Sequence, residues 1–319
     1  MASSIPGSAI AEGAGAIGRL ARVTPVSERR WDPLRRAART RLAPFGALVV
    51  FVALLVGVSA PLVAPYDPLK QDLGNTLARP HRAHLLGTDN LGRDILSRVI
   101  WGTRISLVAG FVSVTLAVAS GGLIGMVAGF WGGRVDSLLM RSMDAVLSFP
   151  PLVLALALGA VLGAGLTGVL IALGVVYTPI FGRLMRGQVL AIKARDYVDA
   201  AMALGAPGWR IAWRHVLPNA APPIVVQASL SVAFAILAEA SLSFLGLGVQ
   251  PPAASWGSMI NAGRGYLQQA PWIVFGPGAA LLVTVVGLNF VGDAVRDALD
   301  PRAAMVSSRG EAAAGERPR

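Results

Sequence analysis

Long stretches without charge are the feature that most restricts what this chain can fold into. Four runs contain no Asp, Glu, Lys or Arg, and they cover residues 44–64, 105–133, 145–182 and 272–292. A helix needs about 20 apolar residues to cross the roughly 30 Å hydrocarbon core of a bilayer. The third run is long enough for two helices, and a fifth apolar run, 220–247, carries one carboxylate. The sequence therefore predicts an all-α membrane protein with six transmembrane helices.

Two local patterns refine this prediction. Pro150 and Pro151 are expected to kink or restart the third span near its beginning, and a turn is expected near Gly163 to separate it from the fourth. Glycines recur every four residues in the second span, a spacing that lets another helix backbone approach closely. These glycines are Gly121, Gly125 and Gly129.

Composition supports a lipid bilayer as the environment of the chain. Only 14% of the residues are charged, whereas soluble domains carry about 25%. There is no cysteine, so neither a disulfide framework nor a thiol nucleophile is available. The net charge of +11 has a simpler explanation than nucleic-acid binding, because membrane proteins concentrate Lys and Arg in their cytoplasmic segments. No nucleic-acid partner is expected.

The distribution of basic residues predicts the topology. With the N-terminus inside, the inner segments contain 21 Lys and Arg residues and the outer segments contain 7. Both termini are therefore expected in the cytoplasm. Residues 1–41 are read as a basic tail in which 31–42 could form an interfacial helix, residues 42–302 as the membrane domain, and residues 303–319 as a disordered tail.

A charged island, residues 195–219, separates the fourth and fifth spans. Asp196 and Asp199 suit the first turn of a short helix, and Gly205 with Pro207 should stop that helix after about two turns. A second helix is expected from Trp209 to Val216, with Trp209, Trp213 and Val216 on one side and Leu217-Pro218 at its end. Tyr197, Ala201 and Leu204 are expected to share one face of the first helix.

The same island resembles the EAA loop of ABC-importer permeases. The matching features are Asp199-Ala200-Ala201, then Gly205 six residues later, then Leu217-Pro218. Asp199 stands where the family usually has Glu. The resemblance implies that residues 188–218 form a cytoplasmic coupling loop that contacts an ATP-hydrolysing subunit. The residues it assigns to this contact are Tyr197, Asp199, Ala200, Ala201, Leu204, Gly205, Leu217 and Pro218.

Further blocks are similar to permeases of the dipeptide, oligopeptide and nickel importers. They read GTDNLGRDILSR from Gly87, MRSMD from Met140, AEASLSFLGLG from Ala238 and NFVGDAVRDALDPR from Asn289. Membership would imply a plasma (inner) membrane complex with a second related permease, two cytoplasmic ABC ATPases and an extracytoplasmic substrate-binding protein. It would also imply peptides as cargo, with nickel as the alternative.

Catalytic chemistry is not expected on this chain. The sequence contains no GxxxxGK[ST] phosphate loop, HExxH or GxSxG motif. No cofactor is therefore assigned to it, and ATP with Mg²⁺ is expected on the partner subunits. An ion-coupled secondary transporter is the alternative from a different class, and Glu239 is the only acidic candidate in an apolar run for its coupling site.

Three groups of polar residues have two interpretations each. Glu239 could line the translocation pathway, or it could be a carboxyl that hydrogen-bonds a neighbouring segment. His81 and His84 could bind a metal, but two histidines make an incomplete site and a solvated loop is favoured. Arg141 and Asp144 are interpreted as a local ion pair.

Overall fold

Helices dominate the structure, a computed structural model that describes residues 42–299. The ten α-helices in this range are α1 (Ala43–Val63), α2 (Ile95–Trp131), α3 (Gly133–Leu147), α4 (Pro151–Leu162), α5 (Leu166–Lys193), α6 (Asp196–Ala203), α7 (Gly208–Ile211), α8 (Leu217–Phe244), α9 (Trp256–Gly263) and α10 (Trp272–Leu299). A π-helical turn, Ala212–Val216, joins α7 to α8. Over the described residues, β-structure is limited to one isolated bridge, between Thr88 and Asp94.

Five helices are long and apolar enough to cross a bilayer. They are α1, α2, α5, the continuous helix Gly208–Phe244 that contains α7 and α8, and α10. The pair α3 and α4 gives a sixth span only if the two are counted together, because they are bent by 92°. The predicted all-α membrane fold is confirmed. Its orientation stays a prediction from the charge distribution, and both predicted tails, with the interfacial helix, fall almost wholly outside the described residues.

The bend between α3 and α4 lies at the two prolines that the sequence singled out. Pro150 has an extended backbone, and Pro151 begins α4. A proline disfavours the helical conformation in the residue before it and supplies no N–H, so a proline pair separates two helices. The bend is larger than the expected kink. It leaves α4 with 12 residues, or about 18 Å, which is too short to cross a bilayer alone.

The centre of the bundle is the contact between α2 and α5. A Cβ atom added to Gly121 or Gly125 would overlap backbone oxygens of α5, and one added to Gly129 would lie 2.8 Å from the Val189 Cβ. The glycine spacing therefore has the packing role that the sequence predicted. Because Cβ atoms are missing along this line, the two backbones touch.

Two helices begin earlier than the sequence predicted. The second span starts at Ile95 rather than residue 105, because the Asp94 carboxylate caps it by accepting the Ser97 N–H at 2.7 Å. The fifth span does not start after Leu217-Pro218, as expected, because the helix runs through both residues. A proline inside an α-helix removes one hydrogen bond and clashes with the preceding turn. The wider π-helical turn ends at Val216, two residues before Pro218, and interrupts the regular α-helical pattern there.

Candidate docking surface

The charged island lies at one end of the bundle, here called the loop end, where α5 finishes and α8 begins. The opposite end, which carries residues 64–94 and α9, is called the far end. Arg195 is extended, and α6 starts at Asp196 with Asp196 and Asp199 in its first turn, as predicted. Carboxylates there interact favourably with the positive end of the helix dipole.

Gly205 ends α6 in a way that explains the predicted stop. Its φ of +76° is left-handed, a conformation that costs glycine little. The Gly205 N–H donates to the Met202 carbonyl at 3.0 Å, and the Ala206 N–H donates to the Ala201 carbonyl at 3.1 Å. These two bonds form a Schellman motif, which satisfies carbonyl groups at the C-terminal end of α6.

The loop buries a few side chains and exposes larger ones. Val198, Ile211 and Val216 are buried against the bundle. Five large apolar side chains point outward instead, and we call them the docking surface. They are Tyr197 (40% exposed), Met202 (46%), Leu204 (89%), Trp209 (65%) and Trp213 (66%). Large apolar side chains exposed together in a charged loop mark a candidate interaction site.

The structure distributes the predicted contact residues unevenly. Tyr197, Asp199, Ala200, Leu204, Gly205 and Pro218 are exposed, while Ala201 and Leu217 are half-buried. Leu204 is the residue just after α6 rather than part of its face. Val216 was expected beside the two tryptophans, but it is fully buried because the π-helical turn changes the register between them. The resemblance did not single out Met202, Trp209 or Trp213, although their size in a charged loop was a usable signal.

Glu239 lies in α8, towards the far end, and is fully buried. Ser243 donates to its Oε1 at 2.6 Å, and Ser106 of α2 donates to its Oε2 at 3.2 Å. Hydrogen bonds to two helices are what the structural interpretation requires, because a buried carboxyl without partners would be costly. The geometry thus links α2 to α8.

Ion pairs near the loop end differ from the predicted pairing. Asp144 on α3 pairs with Arg183 of α5 at 2.6 Å rather than with Arg141. One turn away, Arg186 makes two hydrogen bonds to Asp136, at 2.5 and 2.6 Å. The predicted local pair is therefore wrong. Both carboxylates of α3 contact arginines of α5 instead.

The GTDNLGRDILSR block forms a buried charge network at the far end. Asp89 accepts from the Arg93 Nε at 2.7 Å, and the Arg98 Nε lies 3.7 Å from the same oxygen. Asp94, besides capping α2, lies 2.9 Å from the Nδ1 of His84. Among the described residues no cluster of three or more His, Cys, Asp or Glu side chains could hold a metal, so the metal interpretation of His81 and His84 gains no support.

Comparison with known proteins identifies two family models in the chain. Residues 121–305 match the binding-protein-dependent transport system inner membrane component, and residues 30–80 match the N-terminal TM domain of oligopeptide transport permease C. The chain is 40% identical to the dipeptide transport system permease protein DppC of Alkalihalophilus pseudofirmus, over 85% of this chain and 89% of that protein.

Other relatives extend the same similarity. The probable D,D-dipeptide transport system permease protein DdpC of Escherichia coli K12 is 45% identical, and the di/tripeptide transport system permease protein DppC of Pseudomonas aeruginosa is 46% identical. Each alignment covers 81% of this chain and 86% of the relative. The fold resembles a chain of the inward-facing MetNI methionine ABC transporter, with a TM-score of 0.53, 20% identity, and coverage of 65% of this chain and 96% of that one.

Proposed function

Since the chain belongs to the family of binding-protein-dependent transport system inner membrane components, we propose that it is the permease subunit of an ATP-driven importer of di- or oligopeptides. The family membership makes it a multi-pass protein of the plasma membrane. The peptide cargo is proposed from its relatives, which carry dipeptide or di/tripeptide in their names at 40–46% identity.

One observation supports energy coupling in particular. The docking surface projects large apolar side chains from a loop that also presents Asp199 and three arginines to solvent. Tryptophan, tyrosine and arginine are the residues that most often dominate binding energy in protein interfaces. We propose that a cytoplasmic ATPase subunit covers this surface, with a second ATPase on the loop of a related partner permease.

The mechanism follows from how the loop is built. Helix α6 is short, and it is stabilised by Asp196 and Asp199 at its start and by the Schellman motif at its end. A partner that closes when it binds ATP, and opens again after hydrolysis, would move α6 as a rigid body. Because α7 continues into α8, that movement would reach the span that carries Glu239. A substrate-binding protein would deliver the peptide at the far end.

Reconstitution into liposomes tests the proposal directly. The chain is combined with its partner permease, both ATPases and the binding protein, and uptake of a labelled dipeptide is measured with and without ATP. We expect uptake only with ATP and with binding protein. Uptake driven by an ion gradient with no ATPase present would contradict the proposal and support the ion-coupled alternative.

Docking is tested at Asp199. Charge reversal by Asp199→Lys, or a bulky side chain from Gly205→Trp, is expected to separate ATP hydrolysis from uptake. Asp67→Lys is the matched control, because Asp67 is an exposed carboxylate at the far end. Unchanged coupling in both loop variants would argue against docking at this loop.

A further inference from the structure

The loop is fastened to the bundle at the end of α2. The Lys193 ammonium, at the end of α5, donates to the Phe130 carbonyl oxygen at 2.7 Å. Phe130 lies in the last turn of α2, where the carbonyl groups have no partner within the helix. A lysine beside such a terminus satisfies the carbonyl and interacts favourably with the negative end of the helix dipole.

The Phe130 ring also lies close to the start of α7, on the other side of the loop. The Lys193 Nζ lies 5.2 Å from the ring centroid, within the range of a cation–π contact. A Cβ atom added to Gly208, the first residue of α7, would lie 3.0 Å from the ring. The joint of Lys193, Phe130 and Gly208 therefore holds together the end of α5, the end of α2 and the start of α7. The end of α5 and the start of α7 flank the docking surface, and α2 crosses the bundle from this joint to the far end.

Helix α2 connects this joint to the far end. Its 37 residues span about 55 Å. Near its beginning, the Val99 carbonyl accepts from the Trp256 Nε1 of α9 at 3.1 Å, and Ser106 donates to Glu239 of α8. A displacement of the loop that moved α2 as a rod would therefore reach both far-end helices.

We infer that Lys193 is a positioning residue for transport: its bond to Phe130 makes α2 follow the movement of the docking surface. This rests on the proposed function, since it assumes that an ATPase moves the loop. Lys193 does not form part of the docking surface. Its loss should leave ATPase binding unchanged and weaken the transfer of movement into the bundle.

Three variants test the inference in the complete reconstituted complex. Lys193→Met keeps the aliphatic stem and removes the donor, Lys193→Arg keeps a donor, and Lys70→Met removes the other lysine, which is exposed at the far end. The readouts are peptide molecules taken up per ATP hydrolysed, the affinity for the ATPase and the melting temperature.

We expect Lys193→Met to lower uptake per ATP by about fivefold or more, the usual lower range of coupling between sites. ATPase affinity should stay at the wild-type value, Lys193→Arg should restore most of the ratio, and Lys70→Met should not change it. A wild-type ratio in Lys193→Met, or equal losses in uptake and hydrolysis, would overturn the inference. A wild-type complex without ATP-dependent uptake would instead overturn the proposed function.

Discussion

The two ends of the bundle differ in the side chains that they bury and expose. At the far end, Asp89, Arg93, Asp94 and Arg98 are all buried, and each has a protein partner within the segment or α2. At the loop end, Trp209, Trp213 and Leu204 are exposed, and buried charge plays little part in the loop. At the far end this charged cluster is paired within the fold, whereas the loop end exposes a group of large apolar side chains that another molecule could cover.

Because of this difference, substitutions at the two ends should affect different properties: the stability of the fold at one end and binding to a partner at the other. Charges that are buried and paired become costly when one partner is removed, because the other stays desolvated. Apolar groups that are exposed lose nothing in the isolated subunit when they are made polar. Substitutions at the far end should therefore act on the folded chain, and substitutions in the docking surface should act on binding.

The largest effect is expected from Asp89→Ala at the far end. It removes the carboxylate between Arg93 and Arg98, and the free energy of unfolding should fall by about 3–5 kcal/mol. Thermal melting in detergent measures it. Asp67→Ala changes an exposed carboxylate in the same segment and should cost less than about 1 kcal/mol. Equal melting temperatures for wild type and Asp89→Ala would remove the distinction between the ends.

The next effect is expected on the docking surface. Trp209→Ser combined with Trp213→Ser should weaken ATPase binding roughly 700-fold, since buried tryptophans in interfaces often contribute about 2 kcal/mol each and about 1.4 kcal/mol corresponds to a factor of ten. The melting temperature of the isolated subunit should not change. Leu73→Ser, at an exposed leucine of the far end, is the control. The comparison fails if both variants bind the ATPase equally well.

A smaller effect is expected where α6 ends. Gly205→Ala forces a Cβ atom into a left-handed conformation and should destabilise α6 by about 1–2 kcal/mol. Gly187→Ala, inside α5 at an exposed position with open space, should instead stabilise its helix by about 0.5–1 kcal/mol. Hydrogen exchange of the α6 and α5 amides measures both. Unchanged or slower exchange of the α6 amides in Gly205→Ala would contradict the Schellman assignment.

The smallest effect is expected at Asp72 on the far-end surface. A hydrogen bond from the Asn75 side chain, followed by one from the Gly74 N–H, lowers the pKa of Asp72 below its ordinary value of 3.8. The stabilisation is therefore present above that value and is lost as the pH falls through the lowered pKa. Asn75→Ala should reduce the melting temperature slightly at pH 6 and leave it unchanged near pH 2. An equal shift at both values would exclude the carboxylate as the cause.

The sequence predicted what depends on local chemistry. The length of the uncharged runs predicted the spans, Gly205 predicted the end of α6, and the glycines of the second span predicted a close helix contact, whose partner is α5. Contacts between residues far apart in the sequence were harder to predict. Nothing near Asp144 in the sequence indicates that its partner is Arg183, 39 residues away. The packing of α3 against α5 is a tertiary feature.

The docking surface illustrates the same limit. Motif similarity located the loop and predicted contact residues in it, but it could not show which apolar side chains turn outward. Helical periodicity placed Val216 beside Trp209 and Trp213, and that failed because a π-helical turn interrupts the 3.6-residue repeat. Such turns have no firm sequence signal, so the facing of each side chain had to come from the structure.

The number of residues in the π-helical turn also sets the direction in which Trp209 points. The turn accommodates one residue more than the α-helical turns around it, and one residue rotates an α-helix by about 100°. Deleting one residue of this turn other than Trp213 would restore a regular helix and rotate Trp209 by about 100° around the axis of α8. The loop could thus be redirected to a different partner by the gain or loss of one codon, with its surface chemistry unchanged.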